Sequence, residues 1–397
     1  MIEAWLIEIL RGTSKIFLHP VFYFSIILAG LLGIRRVKRE RRDFNTRIHD
    51  AYLELRYLFS IGILVGLFIS IVTLVVGIPV PFAAIILIGL FTVLFSLTTH
   101  IRLLSPAYTV GFAFFALIFI GNQEGLTIPF FQTSFSAIDE KVYPSVALLL
   151  ALLIIGEAIL ILKKGSKKTS PKLVKSKRGF QVGIHEAKRL WVVPVFLLIP
   201  GDPLQAMSWW PVFSIGDTTY SIFLVPFAVG FSQKIQGMLP KESIRFYGLR
   251  IIWLGLIATG LAIVGYFVPI VSIITVALII IGRATITLLQ RLKEETLPFY
   301  YSRQNQGLMI LDIIPDSPAY RMALKTGELI TKVNGIAVQD EKGFYEALQR
   351  NGAYCKLEVF DVNGQVRFVQ RALYEGDHYE LGILFIEEKK WDQAAGE

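Results

Sequence analysis

The residues of this chain best suited to hold a metal or act as a nucleophile are five histidines and one cysteine, and their spacing decides what they can do. A zinc hydrolase of the His-Glu-x-x-His type needs two imidazoles one helical turn apart, with a glutamate beside them as general base. The nearest match is His185-Glu186-Ala187-Lys188-Arg189, whose second ligand position is an arginine, so the site cannot form. His19, His49, His100 and His378 have no partner at metal spacing. His19, next to Pro20, reads as the capped or kinked start of an apolar run. No Gly-x-Ser-x-Gly elbow, Walker loop or Gly-x-Gly-x-x-Gly turn occurs. Cys355 is alone, which excludes an internal disulfide, and it reads as a small buried strand residue. The chain is therefore expected to be no enzyme and to carry no cofactor and no metal. Two charges inside apolar runs, Glu157 and Arg283, are the remaining suspects. Mutual pairing or snorkelling explains them, and without a series of acidic residues or inverted halves a transport role is the weakest reading.

The elements that position these residues are mostly apolar. Of 397 residues 54% are hydrophobic and 18% charged, and the mean hydropathy is +0.57, which identifies an integral membrane protein. Residues 1–290 carry 27 Lys and Arg against 14 Asp and Glu, whereas 291–397 carry 13 against 17. The basic surplus belongs to the membrane part, where it sets orientation and attracts anionic lipid, and nucleic acid need not be invoked. Residues 1–16, with Trp5, Leu6, Ile9 and Leu10 at helical spacing, read as an interfacial helix and not as a signal peptide. A polytopic domain follows over 17–290. Its clear spans are Phe17–Ile34, Tyr57–Gly77, Pro79–Leu97, Pro106–Gly121, Pro144–Leu162, Leu249–Val268 and Pro269–Leu289. The stretch Leu190–Ser232, broken at Gly201-Asp202-Pro203 and Trp209-Trp210, reads as a hairpin of two helices or a re-entrant pair, giving seven to nine spans.

Loop charges set the sidedness. Arg35–Arg56 holds eight Lys and Arg, Lys163–Arg189 ten and Lys234–Arg250 four, while Gly201–Ser221 holds none. Short basic loops stay in the cytoplasm. The N-terminus is then outside, the C-terminal domain is cytoplasmic, and Leu190–Ser232 must enter and leave on one side. Within the first basic loop, Arg35, Arg36, Lys38, Arg39, Arg41 and Arg42 precede Phe44, Ile48, Tyr52 and Leu55 at helical spacing. This predicts a basic amphipathic helix at the inner leaflet, as a lipid-binding surface or a docking face for a partner. Lys163–Arg178 lacks the apolar stripe and reads as a flexible, lipid-attracted linker.

After a stalk (291–306), residues 307–388 read as a small α+β domain, with 389–397 as a tail. Gly307–Val338 contains Ser317-Pro318-Ala319, Gly327-Glu328 and Val333-Asn334-Gly335. A helix at Glu341–Gly352 and a hairpin turning at Asn363-Gly364 follow. This punctuation resembles the bacterial PDZ pattern, with departures at Asp316 and Met322. PDZ domains add an extended peptide to a sheet edge and hold a terminal carboxylate on loop N–H groups. The matching loop here, Tyr379-Glu380-Leu381-Gly382-Ile383-Leu384, lies at the far end of the domain, as in the circularly permuted PDZ domains of site-two proteases. The resemblance implies a peptide groove between Glu380, Leu381, Gly382, Ile383, Leu384 and the helix residues Phe344, Ala347, Leu348. A closed core with no ligand is the other reading of these apolar residues. Glu380 would repel a free carboxylate, which leaves internal segments as ligands.

The His19–Tyr23 start (His-Pro-Val-Phe-Tyr), the basic segment Arg36–Arg56, the chain length and the terminal PDZ-like domain together resemble the MinJ family of multispanning proteins in Gram-positive division-site selection. The resemblance implies a membrane scaffold recruited by a DivIVA-like coiled-coil protein at poles and septa. Such a scaffold positions a MinD-like ATPase with the inhibitor MinC, and contacts other division proteins. A regulatory subunit or remnant of an intramembrane protease is the alternative.

Overall fold

The computed structural model describes residues 2–98, 100–121, 127–128, 131–134, 140, 142–206, 209–213, 219–351, 354–372 and 381–386. Helix α1 (Ile2–Ser14) leads through a 3-10 turn to α2 (Pro20–Phe44). Next come α3 (Leu53–Leu58), α4 (Gly62–Val76), α5 (Phe82–Leu97) and α6 (Pro106–Gly121). A short pair, β1 (Thr127–Ile128) and β2 (Phe131–Ser134), precedes α7 (Val142–Leu160). Then β3 (Ser170–Lys175), β4 (Gln181–Gln205) and β5 (Thr219–Ile235) form an antiparallel sheet, followed by α8 (Pro240–Gly265) and α9 (Pro269–Thr296).

Among the described residues, five helical stretches are long and apolar enough to cross a membrane: Pro20–Phe44, Leu53–Val76, Val142–Gly165, Pro240–Gly265 and Pro269–Thr296. Phe82–Leu97 and Pro106–Gly121 are shorter apolar helices. Proline opens α2, α8 and α9, where its missing N–H costs nothing. Asn45, in the left-handed region at φ 57°, closes α2 with its N–H on the Arg41 carbonyl, a common helix stop.

The stretch Leu190–Ser232 corrects the helical expectation: it is neither a helical hairpin nor a helical re-entrant pair but a long β-hairpin threaded between the helices. Its prolines explain why. Pro194, Pro200, Pro203, Pro211 and Pro226 interrupt any helical N–H ladder, and the intervening residues are largely β-branched and aromatic. Pro194 stands opposite Pro226. Antiparallel pairs alternate between bonded and non-bonded positions, so two opposed prolines fit where neither N is needed by the partner strand. Burial on both faces also erases the alternation that would announce a strand. Trp191, Val193, Val195, Val225, Phe227 and Phe231 join the main core with α5–α9. Leu190, Val192 and Ala228 pack with Val21, Ala29 and Leu58. The chain enters and leaves at the same end of the bundle, as the loop charges require.

A strand edge inside a membrane must find partners, because water is absent. On the β4 edge α4 supplies them. Phe196 N–H donates to Ser70 Oγ at 2.8 Å, and Thr73 Oγ1 donates to the Phe196 carbonyl at 2.8 Å. A Cβ on Gly62 or Gly66 would overlap the carbonyl oxygens of Val192 or Pro194. On the β5 edge, Glu8 of α1 is buried and accepts from Ser221 Oγ at 2.7 Å and Ile222 N–H at 3.4 Å. One face of α1 is thus committed to the hairpin tip, Trp5 meeting Trp210 at 5.1 Å between ring centroids.

The C-terminal region contains β6 (Leu308–Met309), β7 (Asp312–Ile313), α10 (Pro318–Arg321), β8 (Leu329–Val333), β9 (Ile336–Ala337), α11 (Glu341–Gln349), β10 (Tyr354–Phe360), β11 (Val366–Ala372) and β12 (Ile383–Leu384). One sheet runs β11-β10-β8-β6 with β9 on β8, while β12 returns from the end of the chain to pair with β7. Ser317 and Asp340 cap α10 and α11. Asn334-Gly335, both at positive φ, make the tight β8–β9 turn. Asn334 then accepts from Lys356 N–H and donates to the Ala347 carbonyl, fixing α11 to the sheet.

Candidate partner-binding site

Phe344, Ala347 and Leu348 come from one face of α11, three and four residues apart, and meet Leu381, Ile383 and Phe385 at the end of the chain. The sequence brings the expected groove residues together, but as a closed layer. Phe344, Leu348 and Leu381 are all 0% exposed, and the Phe344 and Phe385 rings lie 5.2 Å apart. Ile383 and Leu384 pair with Ile313 and Asp312. The Gly382 carbonyl accepts from Ile314 N–H at 2.8 Å, and that of Leu381 from Ala319 N–H at 2.9 Å. Gly382 sits at φ 76° with its Cα against Ser317, so its backbone freedom and lack of a Cβ are both in use here. Glu380 lies outside the described residues.

Beside this layer is a cleft of about 1450 Å³ between the C-terminal domain, the β3–β4 turn and the stalk. Asp340, Glu341 and Lys342 at the start of α11 and Ile386 beyond β12 form one wall; Lys177, Arg178 and Arg303 lie on the other sides. The domain is fixed on the hairpin base. Gly183 N–H donates to the Tyr301 carbonyl at 2.9 Å, and Tyr300 N–H to the Gln236 carbonyl at 2.8 Å. Buried Glu294 accepts the N–H groups of Gln236 and Gly237, both at 3.0 Å. His185 Nε2 lies 2.9 Å from the Leu311 carbonyl and Nδ1 lies 3.0 Å from Thr169 Oγ1. A carbonyl can only accept, so Nε2 carries the proton and Nδ1 accepts from the hydroxyl. His185 is thus a clamp between hairpin and domain. On a strand, His185 and Arg189 stand about 13 Å apart at roughly 3.3 Å per residue, which separates the positions that a zinc helix would bring together. Among the described residues no group of three or more His, Cys, Asp or Glu is placed to hold a metal.

Part-buried Asp312, next to this clamp, accepts from Ile313 N–H at 2.8 Å and Thr326 Oγ1 at 3.3 Å. Burial nonetheless pushes its carboxyl up to about 7. Its folded-state value exceeds the ordinary one, so its contribution to stability is present below about pH 4 and is lost as pH rises to about 7. Thermal unfolding of the full chain at pH 5 and pH 8 should show a smaller gap in Asp312→Asn than in the wild type. An unchanged gap would remove Asp312 from the account.

The basic segment does not form a free amphipathic face. Arg36 and Glu40 of α2 are buried: Arg36 donates to Glu54 at 2.8 Å, to Glu40 at 3.1 Å and to the Asp50 carbonyl at 2.7 Å. Arg39 pairs with Glu186 and donates to Ser170 Oγ. Arg35, Lys38, Arg41 and Arg42 remain exposed, Arg42 pairing with Asp43. The segment 163–178, expected to be a flexible linker, instead contributes β3 to the sheet at Ser170–Lys175. The acidic partners Glu40, Glu54 and Glu186 were the signal that counting Lys and Arg passed over. Glu157 and Arg283 pair with each other inside the bundle at 2.7 Å.

Membrane-crossing helices around a buried hairpin, with a β-rich domain clamped to its base and a cleft at the junction, define an integral membrane protein that presents a soluble module at one face. No family model matches the chain. It is 41% identical over 395 residues to the cell division topological determinant MinJ of Bacillus subtilis strain 168, covering 99% of each chain. It is 26% identical over 390 residues to a probable MinJ of Lacticaseibacillus paracasei, covering 93% of this chain and 96% of the relative. The chain belongs to the MinJ family of cell division topological determinants.

Proposed function

We propose that this protein is a non-enzymatic membrane scaffold of division-site selection. Its C-terminal region acts as a circularly permuted PDZ-like domain on the cytoplasmic side, at septa and poles. It links a DivIVA-like coiled-coil protein to a MinD-like ATPase carrying MinC. Identity to MinJ over nearly the whole of both chains carries this reading. The order of the C-terminal elements supports it: the final strand β12 lies against α11, where a strand-adding peptide would need an edge. The ligand is an extended segment that enters from the cleft beside Asp340 and Ile386 and parts Phe344 from Phe385, lining Ala347, Leu348, Leu381, Gly382, Ile383 and Leu384. Exposed Arg35, Lys38 and Arg41 offer a second surface, for anionic lipid or an acidic partner.

A fluorescent fusion of the full chain is expected at division septa, with MinD-like ATPase recruited there. Phe344→Ala opens a cavity in the α11–β12 layer, at a cost of about 3–5 kcal/mol for a buried Phe. It should therefore lose recruitment through lower abundance as well as through the groove. Lys342→Glu, on the exposed wall, separates the two effects: recruitment falls while abundance holds. Uniform membrane fluorescence of the wild type would contradict the reading.

A further inference from the structure

A second cavity, of about 610 Å³, lies at the hairpin base between α2, the β3–β4–β5 sheet and α9, and shares Gln236 and Glu295 with the first. Ten Lys and Arg side chains line it against four Glu. Part of this charge is neutralised: Arg36 and Arg189 face Glu54, Arg39 and Lys188 face Glu186, and Arg291 faces Glu295. Arg35, Arg102, Lys168, Lys172 and Lys234 form no ion pair among the described residues. Burial lowers the Lys172 ammonium; Glu186 opposes this, and nearby Lys234 and Arg39 add to it. Like charges gathered in a recess repel, and the repulsion is relieved when a compact anion with several acceptor oxygens enters, which is the chemistry of phosphate.

Its surroundings indicate where the phosphate comes from. Leu32 of α2 and Ile101 also line the recess. Leu31 and Ile34 on the same turn of α2, Leu97 at the end of α5 and Leu288 on α9 are exposed apolar residues at that end of the bundle. An anionic headgroup in the recess thus has apolar helix surface beside it for acyl chains. We propose that this cavity binds the phosphate headgroup of an anionic phospholipid, with Lys172, Lys234 and Arg102 supplying the free cations. This site is distinct from the exposed Lys38 and Arg41, which do not line it. A lipid held here bridges α2, the β3–β4–β5 sheet and α9, joining the helices to the base that carries the C-terminal domain.

The test is retention of phosphatidylglycerol by the purified full chain in phosphatidylcholine nanodiscs of increasing phosphatidylglycerol content, read by native mass spectrometry. The wild type should retain phosphatidylglycerol selectively, and Lys172→Ala/Lys234→Ala should weaken retention about thirtyfold, given roughly a kcal/mol for each of the two basic residues at an anionic surface. Lys38→Ala/Arg41→Ala should change it little. Lys172→Gln/Lys234→Gln, which keeps most of the volume, replaces the alanine pair if that pair unfolds, and the same loss is expected. Equal retention by wild type and the cavity variants overturns the site. Displacement of the lipid by pyrophosphate or glycerol 3-phosphate at micromolar concentration overturns the lipid assignment in favour of a soluble phosphate.

Discussion

Replacing Glu157 by alanine is expected to lower the stability of the folded protein by about 3–5 kcal/mol, the cost of breaking a buried ion pair from one side. Glu157 is 0% and Arg283 1% exposed. Arg283 Nη2 donates to Glu157 Oε1 at 2.7 Å, Ser105 Oγ donates to Oε2 at 2.6 Å, and Thr287 Oγ1 accepts from Arg283 Nη1 at 2.7 Å. The guanidinium also lies over the Tyr247 ring, 5.2 Å from its centroid. Removing the carboxylate leaves a guanidinium in the bundle with hydroxyls but no counter-charge, and α6, α7, α8 and α9 lose their common polar node. Thermal unfolding in detergent measures the loss. The double variant Glu157→Leu/Arg283→Met should recover much of it, because no orphaned charge remains. Recovery of septal localisation in that double variant would show that the pair is structural. Ion or solute flux in vesicles that vanishes with the pair would instead return the transport reading to consideration.

The second large effect is expected at the α4–β4 contact. Gly66→Leu places its Cβ on the Pro194 carbonyl oxygen, backbone that has no flexible end to yield. Overpacking alone costs about 1–3 kcal/mol. Pushing α4 away also exposes the Phe196 N–H and carbonyl that Ser70 and Thr73 satisfy, at about 1–3 kcal/mol for each buried group left unpaired. Loss of the folded protein is the expected outcome, read as the monodisperse fraction after extraction and as faster hydrogen exchange at Phe196. Gly30→Leu on α2, where a Cβ meets nothing within 4 Å, is the control and should behave like wild type.

The sequence revealed the helices and concealed the hairpin for the same reason. Apolar runs of about twenty residues such as Pro269–Leu289 have one solution in a bilayer. The runs Leu190–Pro200 and Pro211–Phe231 are equally apolar but shorter or broken by proline, and with both faces buried they show no period of two. The clue lay in their partner. Gly62, Gly66, Ser70 and Thr73 put small and hydroxylic residues on one stripe of α4, the pattern of a helix that admits another backbone at close range. The basic loop was visible as charge, but its acidic counterparts, Glu54 and Glu186, are 18 or more residues away from Arg36 and Arg39. Local counting could not assign them. In the C-terminal domain, the Ser-Pro-Ala, Val-Asn-Gly and Asn-Gly signals fall where α10 and two turns form. The α11 and β12 residues expected to line a groove do meet, and only their closed packing departs from the open reading.

The proposed function requires the membrane helices to hold the C-terminal domain on the cytoplasmic side, within reach of division proteins. The chain offers a clean reporter for it. Its single cysteine, Cys355, is buried, and burial pushes its thiol up to about 12, so the wild type should resist maleimide. Lys342→Cys on exposed α11 adds one reactive site in the domain. A membrane-impermeant maleimide is expected to leave this variant unlabelled in intact cells and to label it after permeabilisation. Labelling in intact cells would put the domain outside, where contact with cytosolic division proteins is impossible.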